Sequence, residues 1–428
     1  MKKYPRLLDF SLLISAALFL GLLSDGHPGQ TPRQDYVPGQ VLVKFKSTTR
    51  PVMKAAALAA LNSRALARIP RVETYVVQIP DKASVEELTY AFSRNPDVEF
   101  AEPNYLFRIA VTPNDKYFEY QYALFNKGQQ IGWVPGSPQG KPSADIKAPS
   151  AWEETKGTET VVIGFLDTGV DLIHPDLKNK IKNSGRDFFN NDSDASDDNG
   201  HGTMVAGIAA AETNNNEGIA GVAWNCKILP VKVTDKNGTG NTEMLADGII
   251  WAADNGAHIL NISGTVTAAS QTLEQAIKYA YDKGVFIAAA AGNDNGPVAY
   301  PAAYESYVCA VAATDYNDQR SPWSNFGPQI DAAAPGDKIV STYPIALSGG
   351  FFPYKPDGWG TSLACAHVSG LAALVKSIKP WLNPAQILSI IRYSADDVNA
   401  TVYPGKDDFI GFGRINMEKA LVPLKITK

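Results

Sequence analysis

From about residue 114 onward, short β-rich runs alternate with helical ones, and this alternation constrains the fold more than any other feature of the chain. Residues 160–166 read Thr-Val-Val-Ile-Gly-Phe-Leu, a continuous apolar run with no polar face to turn toward water. Such a strand is buried on both sides, as in a parallel sheet. Residues 227–233 and 258–262 read as further strands flanking a helix over 242–255. A small-residue helix is expected over 203–211, and a helix over 273–282 precedes a strand at 285–289. The pattern predicts an α/β fold, a parallel sheet covered by helices on both faces. Asn383-Pro384-Ala385-Gln386 supplies a cap, a first-turn proline and a capping partner, so a helix from there is expected to end the chain.

The first hundred residues have a different texture. Strands are expected at 40–45 and 74–79, with an extended stretch at 98–105. The Ala- and Leu-rich run 52–68 reads as one helix. Ser84-Val85-Glu86-Glu87 has capping-box spacing and opens another helix, to residue 95. This is a small α+β domain with helices on one face of a sheet. Thr112-Pro113-Asn114-Asp115 is a breaker cluster and marks a boundary. Upstream, Lys2, Lys3 and Arg6 precede an apolar run over 10–23, which is shorter than the ~20 residues of a spanning helix and reads as a secretory signal. The expected organisation is signal and spacer over 1–34, a small domain over 35–111 and a main domain over 112–428. The product is expected to be secreted, with no membrane partner after signal removal.

Charge and composition remove several functions. With 39 Lys+Arg against 44 Asp+Glu the net charge is −5, which argues against nucleic acid as the main partner. The five histidines include no His-Glu-x-x-His, and Cys226, Cys309 and Cys365 form no Cys-x-x-Cys. The cysteines leave room for one bridge and a free thiol, or for three small packed residues.

Three motifs carry the chemistry, each at a strand–helix junction. Asp167 follows the apolar strand in Phe165-Leu166-Asp167-Thr168-Gly169. His201 lies in Asn199-Gly200-His201-Gly202-Thr203, and Ser362 in Gly360-Thr361-Ser362-Leu363-Ala364. A hydroxyl is a weak nucleophile, an imidazole can take its proton, and a carboxylate can hold the imidazole in the right tautomer. Taken alone, the Asp reads as a turn former, the Ser as a helix cap and the His as an exposed side chain. Together, in the order Asp, His, Ser, they form a triad pattern.

At these residues the sequence resembles the subtilisin-like serine proteases, and 112–118 is most similar to the thermitase branch. The resemblance implies a secreted serine endopeptidase acting on proteins or peptides through Asp167, His201 and Ser362, and made as a self-processing zymogen. Residues 35–111 would then be a ferredoxin-like propeptide, at once inhibitor and folding aid. Ala289-Ala290-Ala291-Gly292-Asn293 matches the stretch whose Asn293 points into the oxyanion hole. Ser263, Gly264, Thr265, Ala291 and Gly292 would contact substrate. Thr265 stands where the family has glycine, which should crowd the specificity pocket. Met204, Leu363 and Cys365-Ala366 also depart from the family pattern, none at a triad position. The aromatic stretch 351–354, with Trp359, reads equally as an overhang on the cleft or as a packed surface loop.

Residues 187–196 place oxygen donors at close spacing, the hard set that calcium prefers. From composition alone this is a solvated acidic loop. The resemblance implies calcium there, on Asp187, Asn190, Asp192, Asp194 and Ser196. It implies a second calcium site from Asp115, Asp176 and the loop 212–219, with Asn215 and Glu217.

Two rival functions are weaker. A lipase-type hydrolase wants Gly-x-Ser-x-Gly and a His far downstream of the Ser, whereas His367 lies only five residues after Ser362. A non-enzymatic binding protein on the same scaffold would be favoured by loss of a triad residue, and all are present.

Overall fold

The computed structural model describes residues 36–106, 111–350 and 352–426. The expected signal and spacer over 1–34 lie outside them. The chain divides into two compact units near residue 107.

The first unit runs β1 (Tyr36–Phe45), α1 (Pro51–Ala60), β2 (Arg64–Ile69), β3 (Thr74–Gln78), α2 (Val85–Ser93) and β4 (Val98–Tyr105). The strands form one antiparallel sheet in the order β2-β3-β1-β4. This βαββαβ order is that of ferredoxin-like domains. Alternate residues Val41, Val43 and Phe45 of β1 point inward, onto Val77, Val85 and Phe92. Ser84 caps α2 as expected, its hydroxyl accepting from the Glu87 amide at 3.3 Å. The run 52–68 is not one helix. Asn62 adopts φ 49°, the chain reverses, and 64–69 pairs with β3 as a fully exposed strand. The open hydrogen-bonding edge of β3 outweighs the modest helix propensity of Ala and Leu.

The second unit is built on seven parallel strands: β5 (Val162–Asp167), β6 (Arg186–Asp187), β7 (Lys227–Lys232), β8 (Ile259–Ile262), β9 (Phe286–Ala290), β10 (Cys309–Thr314) and β11 (Ile330–Pro335). Their order is β11-β10-β9-β8-β5-β7-β6. In β5, Ile163 and Phe165 join the core on one face while Val162 and Leu166 join the core on the other, which explains the unbroken apolar run. A short helix, α3 (Ala148–Trp152), precedes β5; helices α4 (His201–Ala210) and α7 (Thr361–Ile378) cover the first face, and α5 (Thr242–Asp254) and α6 (Gln271–Asp282) the second. After β5 the chain goes out to the edge strand β6, comes back to place β7 between β6 and β5, then adds β8 on the other side of β5. The crevice at the carboxyl ends of β5 and β8 is therefore the topological switch point, where open α/β sheets bind ligands.

The helix α8 (Pro384–Ser394) has its full capping box, Asn383 and Gln386 each accepting from the other's amide at 3.0 Å or less. It is not the last helix, because α9 (Met417–Ile426) follows. Cys226, Cys309 and Cys365 are free and buried, and burial pushes each thiol pKa up.

Helix α7 is buried from Thr361 to Lys376. A Cβ on Gly370 would lie 2.5 Å from Val222 Cβ. Gly370→Ala should therefore overpack this contact and cost ~1–3 kcal/mol. The denaturation midpoint should fall, and an unchanged midpoint would contradict this packing.

Candidate active site

The end of β5 presents Asp167, whose side chain is only 3% exposed. Helix α4 begins at His201, after Gly200 at φ 106°. A Cβ on Gly200 would collide with the ring of Tyr343, so the approach to this helix requires glycine. His201 Nδ1 lies 2.7 Å from Asp167 Oδ1. This bond fixes Nδ1 as the protonated nitrogen beside the carboxylate and leaves Nε2 free to act as base. Burial lowers the pKa of His201, but the charge and hydrogen bond of Asp167, with the charge of Asp197, outweigh it and hold the pKa above the ordinary 6.5.

Ser362 occupies the first turn of α7, after Gly360 at φ 135°. Its hydroxyl donates to the Ser263 carbonyl at 3.1 Å. Asn293 Oδ1 accepts from both the amide and the hydroxyl of Thr361, each at 2.9 Å. Both donors fall on the amide oxygen, so Asn293 Nδ2 remains as the donor group. Thr361 Oγ1 in turn accepts from the Gly292 amide at 3.1 Å. Thr361 thus locks the Asn293 loop to the helix start.

Asp167, His201, Ser362, Asn293, Ser263, Gly264 and Thr265 line one cleft of about 410 Å³. Gly264 and Thr265 are exposed in it. Ala291 and Gly292 lie behind it instead. Both are buried, and the peptide groups of Ala291 bond to Val311 and Ala299. The opposite wall, including Asn237, Gly240, Asn241 and Leu245, was missed in the sequence. Its one signal was the Gly- and Asn-rich run 237–241 after β7. The aromatics Phe352 and Tyr354 do not overhang the cleft. They pack against Tyr117 at ring distances of 5.6 and 5.1 Å, while Trp359 packs on Trp323 at 5.3 Å. Phe351 lies outside the described residues.

In the acidic loop the predicted calcium ligands are engaged by donors of the loop itself. Asp187 Oδ1 accepts from the amides of Phe189 and Asn190, and its Oδ2 accepts from Asn190 Nδ2 at 2.8 Å. Asp192 Oδ1 accepts from the Asp194 amide, and Asp194 Oδ1 from the amide and hydroxyl of Ser196. Arg186 brings its own positive charge, donating to the Asp192 carbonyl at 3.0 Å and to Asn191 Oδ1. Among the described residues no three Asp, Glu, His or Cys side chains converge as a metal site.

The second candidate fits a cation better. Asp115 and Asp176 are buried and neither forms a salt bridge. Burial raises the pKa of each to about 6, and the charge of Asp115 adds to the effect on Asp176. Asn215 Nδ2 donates to Asp176 Oδ1 at 2.9 Å. Tyr354 Oη is buried nearby without a hydrogen-bond partner, and a Cβ on Gly218 would overlap both Asp176 Oδ2 and that hydroxyl. Glu217 does not join them, since its carboxylate pairs with Lys116 at 2.8 Å.

Comparison with known proteins agrees with this geometry. Residues 158–413 match the model of the Subtilase family, and residues 24–104 match that of the Fervidolysin N-terminal prodomain. The chain belongs to the subtilase family. A thermophilic serine proteinase from Bacillus sp. (strain AK1) is 39% identical over 434 residues, covering 98% of this chain and 99% of the relative. Thermitase from Thermoactinomyces vulgaris is 40% identical, covering 72% of this subtilase and 99% of the relative. A protease structure from Pseudoalteromonas arctica superposes with a TM-score of 0.61 at 31% identity, over 73% of this chain and all of that one. This subtilase is a subtilisin-like serine endopeptidase made as a precursor with an N-terminal prodomain.

The pKa of His201 gives a signed expectation. An imidazole works as a base only when neutral, so a reaction that relied on His201 would speed up as pH passes its pKa. The acid limb of kcat/KM should have its midpoint above 6.5, the ordinary histidine value. A midpoint at or below that value, in a pH–rate profile on a neutral peptide substrate, would contradict the assigned pair.

Proposed function

We propose that Ser362, His201 and Asp167 are the catalytic triad of a secreted, self-processing subtilase. Ser362 attacks the peptide carbonyl, forming the acyl-enzyme, while His201 takes the hydroxyl proton and returns it to the leaving amine. Asp167 holds the His201 tautomer and stabilises the imidazolium. Asn293 Nδ2, with the Ser362 amide at the start of α7, stabilises the tetrahedral oxyanion, because donors placed where charge develops need no reorganisation. Water then releases the acyl group by the same route. The observation that most supports this reading is the 2.7 Å His201–Asp167 pair, opening into one cleft with Ser362 and Asn293.

In this reading residues 1–34 direct export, 35–111 inhibit the enzyme and aid its folding, and 112–428 form the peptidase. The wall at Ser263, Gly264 and Thr265 takes the substrate chain, and the exposed Thr265 side chain narrows the choice of residue before the cut. Self-processing cuts between about 105 and 115, at the boundary of the two units. Ser362→Ala should accumulate as the uncut precursor and lose peptide hydrolysis. Normal maturation of this variant in a pure preparation would refute self-processing, and retained hydrolysis would refute the triad.

Calcium belongs first at Asp115, Asp176 and Asn215, where it would neutralise two buried carboxylates next to the start of the mature chain. A ligand held only by the folded form stabilises it by about 2.7 kcal/mol at one hundred times Kd. Chelation should lower the thermal midpoint of the parent, and Asp176→Asn should lower it and abolish the response to added calcium. A parent midpoint indifferent to calcium, with metal content checked, would refute the site.

A further inference from the structure

The Asp167 carboxylate is lightly anchored for a group that must aim an imidazole. Its Oδ1 accepts from the Thr168 amide at 2.8 Å and bonds His201, while its Oδ2 is buried without a partner. The alignment of the pair therefore depends on how the end of β5 is fastened to the loop that enters α4. That fastening runs through Asp197. Its Oδ1 accepts from Thr168 Oγ1 at 2.8 Å, from the Asn199 amide at 3.0 Å and from the Gly200 amide at 2.9 Å. Its Oδ2 accepts from the Thr203 amide at 3.0 Å and from Thr203 Oγ1 at 2.6 Å. Five donors fill a carboxylate that offers about four lone-pair positions. One comes from the residue after Asp167, and the other four bracket His201 on both sides.

We propose that Asp197 is a positioning residue, which holds the His201 imidazole against Asp167 by tying Thr168 of the β5 end to the first turn of α4. The proposal rests on the triad reading and deepens it.

The surrounding bonds close the same joint. Thr168 Oγ1, besides donating to Asp197, accepts from the Gly202 amide at 3.0 Å. The Thr168 carbonyl accepts from Lys232 Nζ at 2.6 Å, and that ammonium also pairs with Asp198 Oδ1 at 2.5 Å. Thr203 Oγ1 accepts from the Asp171 amide at 2.9 Å. Bonds to an ionised acceptor are about twice as strong as neutral ones, so a carboxylate at 197 makes a stiffer joint than a neutral acceptor would. Asp197 does not touch the cleft and is not a catalytic residue.

The test uses the full chain, matured where needed with a trace of the parent enzyme, in the variants Asp197→Ala, Asp197→Asn and Thr168→Val. The readouts are kcat and KM on a peptide anilide and the downfield proton resonance of the His201 Nδ1–H. A misplacement of about 1 Å can cost about a hundred-fold in rate. Asp197→Ala should lose kcat on that order with KM near the parent's, and its Nδ1–H resonance should shift or broaden. Asp197→Asn, which keeps an acceptor for Thr168, should recover part of kcat. Thr168→Val removes a single hydroxyl from the joint and decides the matter if Asp197→Ala does not fold. A parent-like kcat and resonance in Thr168→Val and in every folded Asp197 variant would overturn the proposal. So would a loss of kcat with the resonance in place. Ser362→Ala, run alongside, separates the two readings: activity in that variant would overturn the triad itself, whereas its inactivity beside unimpaired Asp197 and Thr168 variants would overturn only the positioning role.

Discussion

Burial of helix α7 along the sheet is the constraint on which the site depends. From Thr361 to Lys376 the helix has almost no wet surface, and it packs against strand alanines such as Ala288, Ala290, Ala313 and Ala334 in one core. Small residues on both partners let the backbones approach closely, and close packing leaves little freedom to slide. The first turn of this helix carries Thr361 and Ser362. The position of Ser362 is therefore set by the core rather than by a surface loop. Thr361 extends the same rigidity to Asn293 through two hydrogen bonds to the amide oxygen.

Electrostatics supplies what packing cannot. Asp167 is buried beside a half-exposed His201, and the charged neighbours are distributed so that each has a partner or a purpose. Lys232, one of the largest fully buried side chains, sits in register with Asp167 on the adjacent strand and gives its charge to Asp198 and the Thr168 carbonyl. Asp115 and Asp176 are the contrast. They are buried carboxylates without a salt bridge, and desolvation pushes both toward the protonated form. Both carboxylates accept hydrogen bonds from their own surroundings, Asp176 from Asn215 Nδ2 and the Ile219 amide, so a cation there would supply the counter-charge that these neutral donors do not.

Much of this was legible in the sequence because the strongest signals coincide with the strongest physical demands. The run 160–166 is apolar because both faces of β5 are buried, and Gly200 and Gly360 stand where positive φ is needed before a helix. The less legible parts have physical reasons. Strands β10 and β11 read Cys-Ala-Val-Ala-Ala-Thr and Ile-Asp-Ala-Ala-Ala-Pro, and alanine signals helix by propensity; only the approach of α7 makes small residues the right choice there. Strand β2 was hidden for the same reason, by its Ala and Leu content. Asp197 could not be told from its neighbours Asp192, Asp194 and Asp198, because spacing does not reveal which carboxylate turns inward.

The central claim is that a core-anchored serine is activated by the His201–Asp167 pair. Labelling the mature enzyme with a fluorophosphonate and locating the adduct by mass spectrometry tests it most directly. A single adduct on Ser362, forming far more slowly in His201→Ala, is the predicted result. No adduct, or labelling that proceeds equally fast without His201, would contradict it.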